Sequence, residues 1–147
     1  MADTHGSTAN FTAEERAAMQ ERAAEVRATR KRGKAAVDPD AEVRAKIAEL
    51  PDEDRTMAER IHAIVREVAP GLTPRTWYGM PAYGASKAVL FFQPASKFKA
   101  RYATLGFNDD ARLDDGAMWP TAYALTRVGD AEEAAIRELV RRAAGEG

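Results

Sequence analysis

The chain has 147 residues, enough for one domain or one domain with a terminal extension, and long enough to bury a core without disulfide or metal staples. Hydrophobic residues make up 45% and charged residues 31%, and Lys+Arg 22 against Asp+Glu 23 leaves a net charge of -1, so no bulk attraction to nucleic acid or an anionic membrane is expected. The absence of cysteine removes disulfides, zinc–thiolate sites, iron–sulfur clusters and thiol nucleophiles, and with no signal-peptide core and no apolar run near the ~18 residues of a membrane span, a cytoplasmic protein is expected.

Ten of the eleven aromatics lie between Trp77 and Tyr123, which places the sheet there and leaves the Ala-, Glu- and Arg-rich flanks to helices. Residues 1–10 read as a polar tail. Thr12 and Glu15 have capping-box spacing and open a helix to about Arg32, with Gly33 as its stop and a basic run from Arg27 to Lys34 at its end. Its large apolar residues are only Phe11, Met19 and Val26, so it is expected to be peripheral, and residues 1–37 to be separable from a domain spanning 38–147.

Asp38-Pro39 reads as the cap and first residue of a second helix with a buried stripe at Val43, Ile47 and Leu50. After Pro51, Asp52 is the expected cap of a third helix whose stripe is Met57, Ile61, Ile64, Val65 and Val68; it stops before Pro70-Gly71. Ala88 to Phe92 is a continuous apolar run and predicts a buried strand. Phe98, Ala100, Tyr102 and Thr104 alternate with Lys97, Lys99, Arg101 and Ala103, which predicts a second strand paired to the first, with one basic face. Asn108 to Gly116 is an acidic loop, Tyr123 to Val128 a further strand, and Asp130 and Glu133 cap a last helix that buries Ile136, Leu139, Val140 and Ala143. The fold class that follows is α+β, two layers, an antiparallel sheet of four or five strands packed by N- and C-terminal helices.

The chemistry-bearing residues do not compose a catalytic set, so no catalytic residue is assigned. Tyr83 and Lys87 match a Tyr-x-x-x-Lys pattern, but Pro81 and Gly84 deny them the shared helical face that pattern needs, and no dinucleotide-binding glycine motif precedes them. His5 is in the tail, and His62 reads as a rim histidine off the third helix's stripe. Two features suit binding instead. The box Trp77, Tyr78, Met80, Pro81 and Tyr83 either folds over the sheet as core or lines an apolar pocket, and with the basic strand face Lys97, Lys99 and Arg101 it would take a protein partner or small ligand. Asp109, Asp110, Asp114 and Asp115 form the one local acidic cluster, with Arg112 among them as a counter-charge.

Pro70, the box Tyr78-Gly79-Met80-Pro81-Ala82-Tyr83 and the apolar strand after it resemble the YdhG-like family, a domain of unknown function. The order of helices, prolines, box, hairpin, strand and final helix is similar to that family from about Asp38 to Ala144. The resemblance implies a frataxin-like arrangement and a non-enzymatic binding protein. Some members of the family are described as intracellular iron chaperones, with metal on surface carboxylates. Iron is thus the one cargo the resemblance implies, and Asp109, Asp110, Asp114 and Asp115 are the residues it would fall to.

Overall fold

The computed structural model describes residues 11–31 and 38–145; His5, Gly33 and the basic run beyond Lys31 lie outside them. Helix α1 (Ala13–Lys31) begins at the expected capping box. Thr12 Oγ1 accepts from the Glu15 N–H and Glu15 Oε1 from the Thr12 N–H, each at 2.9 Å. Helix α2 (Pro39–Ala48) starts from Asp38, whose carboxylate accepts the Asp40 N–H at 3.0 Å, and it buries Val43 and Ile47. Helix α3 (Asp52–Val68) buries Met57, Ile61, Ile64 and Val65.

Two caps differ from expectation. Asp52 is the first residue of α3 rather than its cap, and acts with Glu53 and Asp54 as an acidic first turn facing the positive end of the helix. In the last helix, α4 (Asp130–Ala143), the cap is Gly129, whose N–H donates to Glu132 Oε1 at 2.9 Å.

The five strands form one antiparallel sheet in sequence order: β1 (Pro74–Trp77), β2 (Met80–Tyr83), β3 (Leu90–Gln93), β4 (Ala103–Phe107) and β5 (Ala122–Leu125). The α+β class stands. The strand expected over Phe98 to Thr104 does not. Ser96–Phe98 is a turn of 3-10 helix, and Lys99 has the left-handed φ of +54°, so the basic alternation lies off the sheet. The cause is tertiary. The buried Asp54 carboxylate accepts the N–H groups of Ala95 and Ser96, each at 3.1 Å, and the Ser96 hydroxyl, which winds this segment into a turn before β4 starts.

Residues paired across antiparallel strands share a face. Tyr83, Leu90, Phe107, Phe92 and Leu105 are linked by register on the inner face, where α2, α3 and α4 add Val43, Ile61, Val65, Ile136 and Val140 to one contiguous core. Arg75 pairs with Ala82, Ala82 with Phe91, and Phe91 with Gly106, so these residues and Trp77, which pairs with Met80, occupy the outer face. Helix α1 lies against β1 and the 3-10 turn, apart from that core.

Candidate functional site

The aromatic box is a hairpin, and pleating divides it between the two faces of the sheet. Tyr78 and Gly79 have φ of +54° and +77°, the two left-handed positions of a type I′ turn joining β1 to β2. Such a turn leaves two N–H groups pointing outward. The Glu25 carboxylate of α1 accepts both, from Tyr78 at 3.1 Å and from Gly79 at 2.9 Å. Glu21 presses on the same turn, its carboxylate close to where a Cβ on Gly79 would lie, and the left-handed φ there favours glycine.

On the outer face, Trp77 and Phe91 meet with ring centroids 5.2 Å apart, and Trp77 meets Tyr78 edge-on at 4.9 Å. Phe91 lies over Gly106, where a Cβ would come within 2.2 Å of its ring. With Met80 and Phe98 these rings floor an open groove of about 520 Å³, walled on its other side by Phe11 and Met19 of the α1 region. Thr12, Glu15 and Gln93 supply its polar edge. Phe11 and Met19 are 40% and 38% exposed, so this wall is half-finished rather than packed.

The predicted ligand-binding residues separate accordingly. Trp77, Tyr78 and Met80 line the groove, whereas Pro81 and Tyr83 point into the protein and are fully buried. The expected basic face is not a face. Lys97 Nζ pairs with Glu21 and lies 5.9 Å over the Phe98 ring, Lys99 Nζ pairs with Glu14 at 3.0 Å, and Arg101 lies over Tyr102 at 5.2 Å. Two of these cations therefore fasten α1 to the 3-10 region.

Asp109, Asp110, Asp114 and Asp115, the residues the resemblance would give to a metal, are all exposed. Ala111 and Leu113 between them are buried and anchor the loop, which turns the aspartates outward into solvent. Among the described residues no three metal-ligating carboxylate or imidazole side chains gather in one place.

His62 is not a rim residue. It is 7% exposed, with Nδ1 2.9 Å from the Tyr83 hydroxyl and Nε2 2.7 Å from Asp40 Oδ1. A carboxylate only accepts, so Nε2 carries the proton and Nδ1 accepts from the phenol. Burial pushes the histidine below its ordinary pKa, against the opposing pull of Asp40, and the same burial pushes the Tyr83 phenol far up. Asp40, despite some burial, is held below the usual carboxylate range by its bonds to His62 and Arg44. The set joins α2, α3 and β2 and leaves no buried side-chain polar atom unpartnered among the described residues. Nothing local in the sequence signals it, because Asp40 and Tyr83 are 22 and 21 residues from His62, far beyond the three- or four-residue spacing of a helical motif.

Among the described residues no helix is long and apolar enough to cross a membrane. No family model, no curated protein and no solved structure matches the chain.

Proposed function

We propose that the protein is a non-enzymatic binding protein whose ligand, a small molecule with an apolar acyl or aryl portion, lies in the groove between α1 and the β1–β2 hairpin. The observation that carries this reading is that Trp77, Met80 and Phe91 form an apolar surface outside the contiguous core. Met80 is buried and Trp77 and Phe91 are half-buried, so the area that the two rings leave in contact with water, unfavourable by roughly 25 cal/mol per Å², is what a ligand in the groove would cover. A volume of about 520 Å³ suits a small ligand, and a few polar groups at an apolar wall are the usual composition of such a site.

A binding role also agrees with the resemblance to the YdhG-like family. The His62, Tyr83 and Asp40 set lies on the inner side of the sheet, away from the groove, so it supports packing rather than turnover at this site.

The test is calorimetry with decan-1-ol as an uncharged apolar probe, on the protein and on Met19→Glu. Met19 is a partly exposed groove residue, so the substitution spares the fold and sets a carboxylate beside the ligand. Saturable binding weakened about tenfold in the variant, equivalent to about 1.4 kcal/mol, is expected. No saturable binding, or equal binding by both proteins, would contradict the proposal.

A further inference from the structure

The outer face does not end at Trp77. The same indole that borders the groove borders a second cavity of about 260 Å³, which Arg22 of α1, Arg75 of β1, Ser86 and Lys87 also line. Arg75 is two residues before Trp77 on β1, hence on the same face, and its cross-strand neighbour is the small Ala82. Indole, guanidinium pair and groove therefore follow one another along a single side of the sheet.

The charges of this corner are unusual. Arg22 lies 5.8 Å over the Tyr78 ring and 3.6 Å from Glu25, whose carboxylate already accepts the two turn N–H groups. Arg75 has no ion pair and no hydrogen bond among the described residues, and it is only partly exposed. Burial lowers its pKa, and the positive charge of Arg22 lowers it further, with Glu25 pulling the other way. Two guanidinium groups held near one another beside an indole are unfavourable when empty and favourable with an oxyanion between them, because a guanidinium fork matches the paired oxygens of carboxylate and phosphate. Asp109 and Asp110 also line this cavity. They follow β4, with Asn108 Nδ2 tied to the Ala88 carbonyl at 2.9 Å, whereas Arg75 and Trp77 are on β1 and Arg22 is on α1.

We propose that the ligand is an amphiphilic anion, its apolar portion in the groove and its carboxylate or phosphate head, beyond Trp77, between Arg22 and Arg75. The assignment rests on the groove reading above and adds to it the charge of the head. It gives Trp77 a definite role as the wall shared by tail and head, and it gives a use to Arg75, a cation with no ion pair among the described residues.

The experiment compares four probes of equal tail length, all below their micellar concentrations: decanoate, decyl phosphate, decylamine and decan-1-ol. Each is titrated by calorimetry into the protein, Arg75→Gln and Arg22→Gln. Arg75→Gln removes no hydrogen bond or ion pair among the described residues, so it is the primary variant. At least one anionic probe is expected to bind about tenfold more tightly than decan-1-ol, the gain falling with added salt and vanishing in Arg75→Gln while decan-1-ol affinity is unchanged. The tighter of decanoate and decyl phosphate identifies the oxyanion. Equal affinity for anions and alcohol, retention of the preference in Arg75→Gln, or tighter binding of decylamine through Asp109 and Asp110 would overturn the assignment while leaving the groove reading intact. Failure of decan-1-ol to bind the unsubstituted protein is the separate result that removes the groove.

Discussion

His62 spends both of its ring nitrogens inside the fold, one on Tyr83 and one on Asp40, and this makes one titration matter to stability. Protonation puts a second N–H on the ring, so the Tyr83 hydroxyl can no longer donate to Nδ1, and a charge appears where Arg66 and Arg44 already oppose it. The folded-state pKa lies below the ordinary value of 6.5, so the unfolded chain takes up the proton first. The neutral ring's contribution is then complete above about pH 6.5 and is lost as pH falls through the lowered value. Asp40, with its own pKa lowered, stays ionised across that window and does not cancel the effect. The urea midpoint is expected to fall between pH 7.5 and pH 5, and His62→Gln, though less stable at pH 7.5, to show a flatter dependence. An identical slope in both proteins would place the titration elsewhere. No residue pattern announced this network; a histidine beside Ile61 on a helix becomes a core group only once β2 delivers Tyr83 to it.

At the scale of elements, what was local in origin was legible. The boxes and caps at Thr12, Glu15 and Asp38-Pro39 act within three residues, and the helices they start are where the sequence puts them. The β1–β2 hairpin was not legible as strands, because each strand has four residues, Pro81 interrupts the second, and the turn places a tyrosine at a positive φ that few side chains adopt. What holds that tyrosine is Glu25, 53 residues away. The basic strand was misread for the same kind of reason, since Asp54 captures the chain at Ala95 and Ser96.

These long-range contacts bear on the expectation that residues 1–37 are separable, because they tie α1 to the β1–β2 turn and the 3-10 region. The exposed pairs of α1, such as Glu14 with Lys99, contribute little because solvent screens them, whereas a carboxylate accepting two backbone N–H groups contributes more. Glu25→Gln keeps one acceptor oxygen and brings an NH₂ against the other donor; it is expected to lower stability by about 1 kcal/mol and to speed amide exchange at Tyr78 and Gly79. Removal of residues 1–37 is expected to lower the melting temperature and abolish groove binding together. An unchanged melting temperature would restore the separable helix.

For the molecule as a whole, the sheet is apolar on both faces, and the two faces have different fates. The inner face is sealed by three helices into a core; the outer face has one helix, α1, and that helix stops short of closing it. The concentration of aromatics between Trp77 and Tyr123 foretold the sheet and the α+β class, but it did not say which aromatics share a face. That requires the register, and a shift of one residue in β2 would exchange Met80 for Pro81 and Tyr83 for Ala82. In the acidic loop the apolar alternation, Ala111 and Leu113, serves packing and leaves the four aspartates exposed.

Two tryptophans make the central claim directly measurable. Trp77 lines the groove, while Trp119 lines a separate cavity of about 590 Å³ with Phe107 and Leu113. An NMR titration following both indole N–H signals as decan-1-ol is added is the decisive observation. Saturable movement of the Trp77 signal, with Trp119 unmoved, is the predicted result. Movement of Trp119 alone, of both together without saturation, or of neither would contradict the account of the outer face as a binding site.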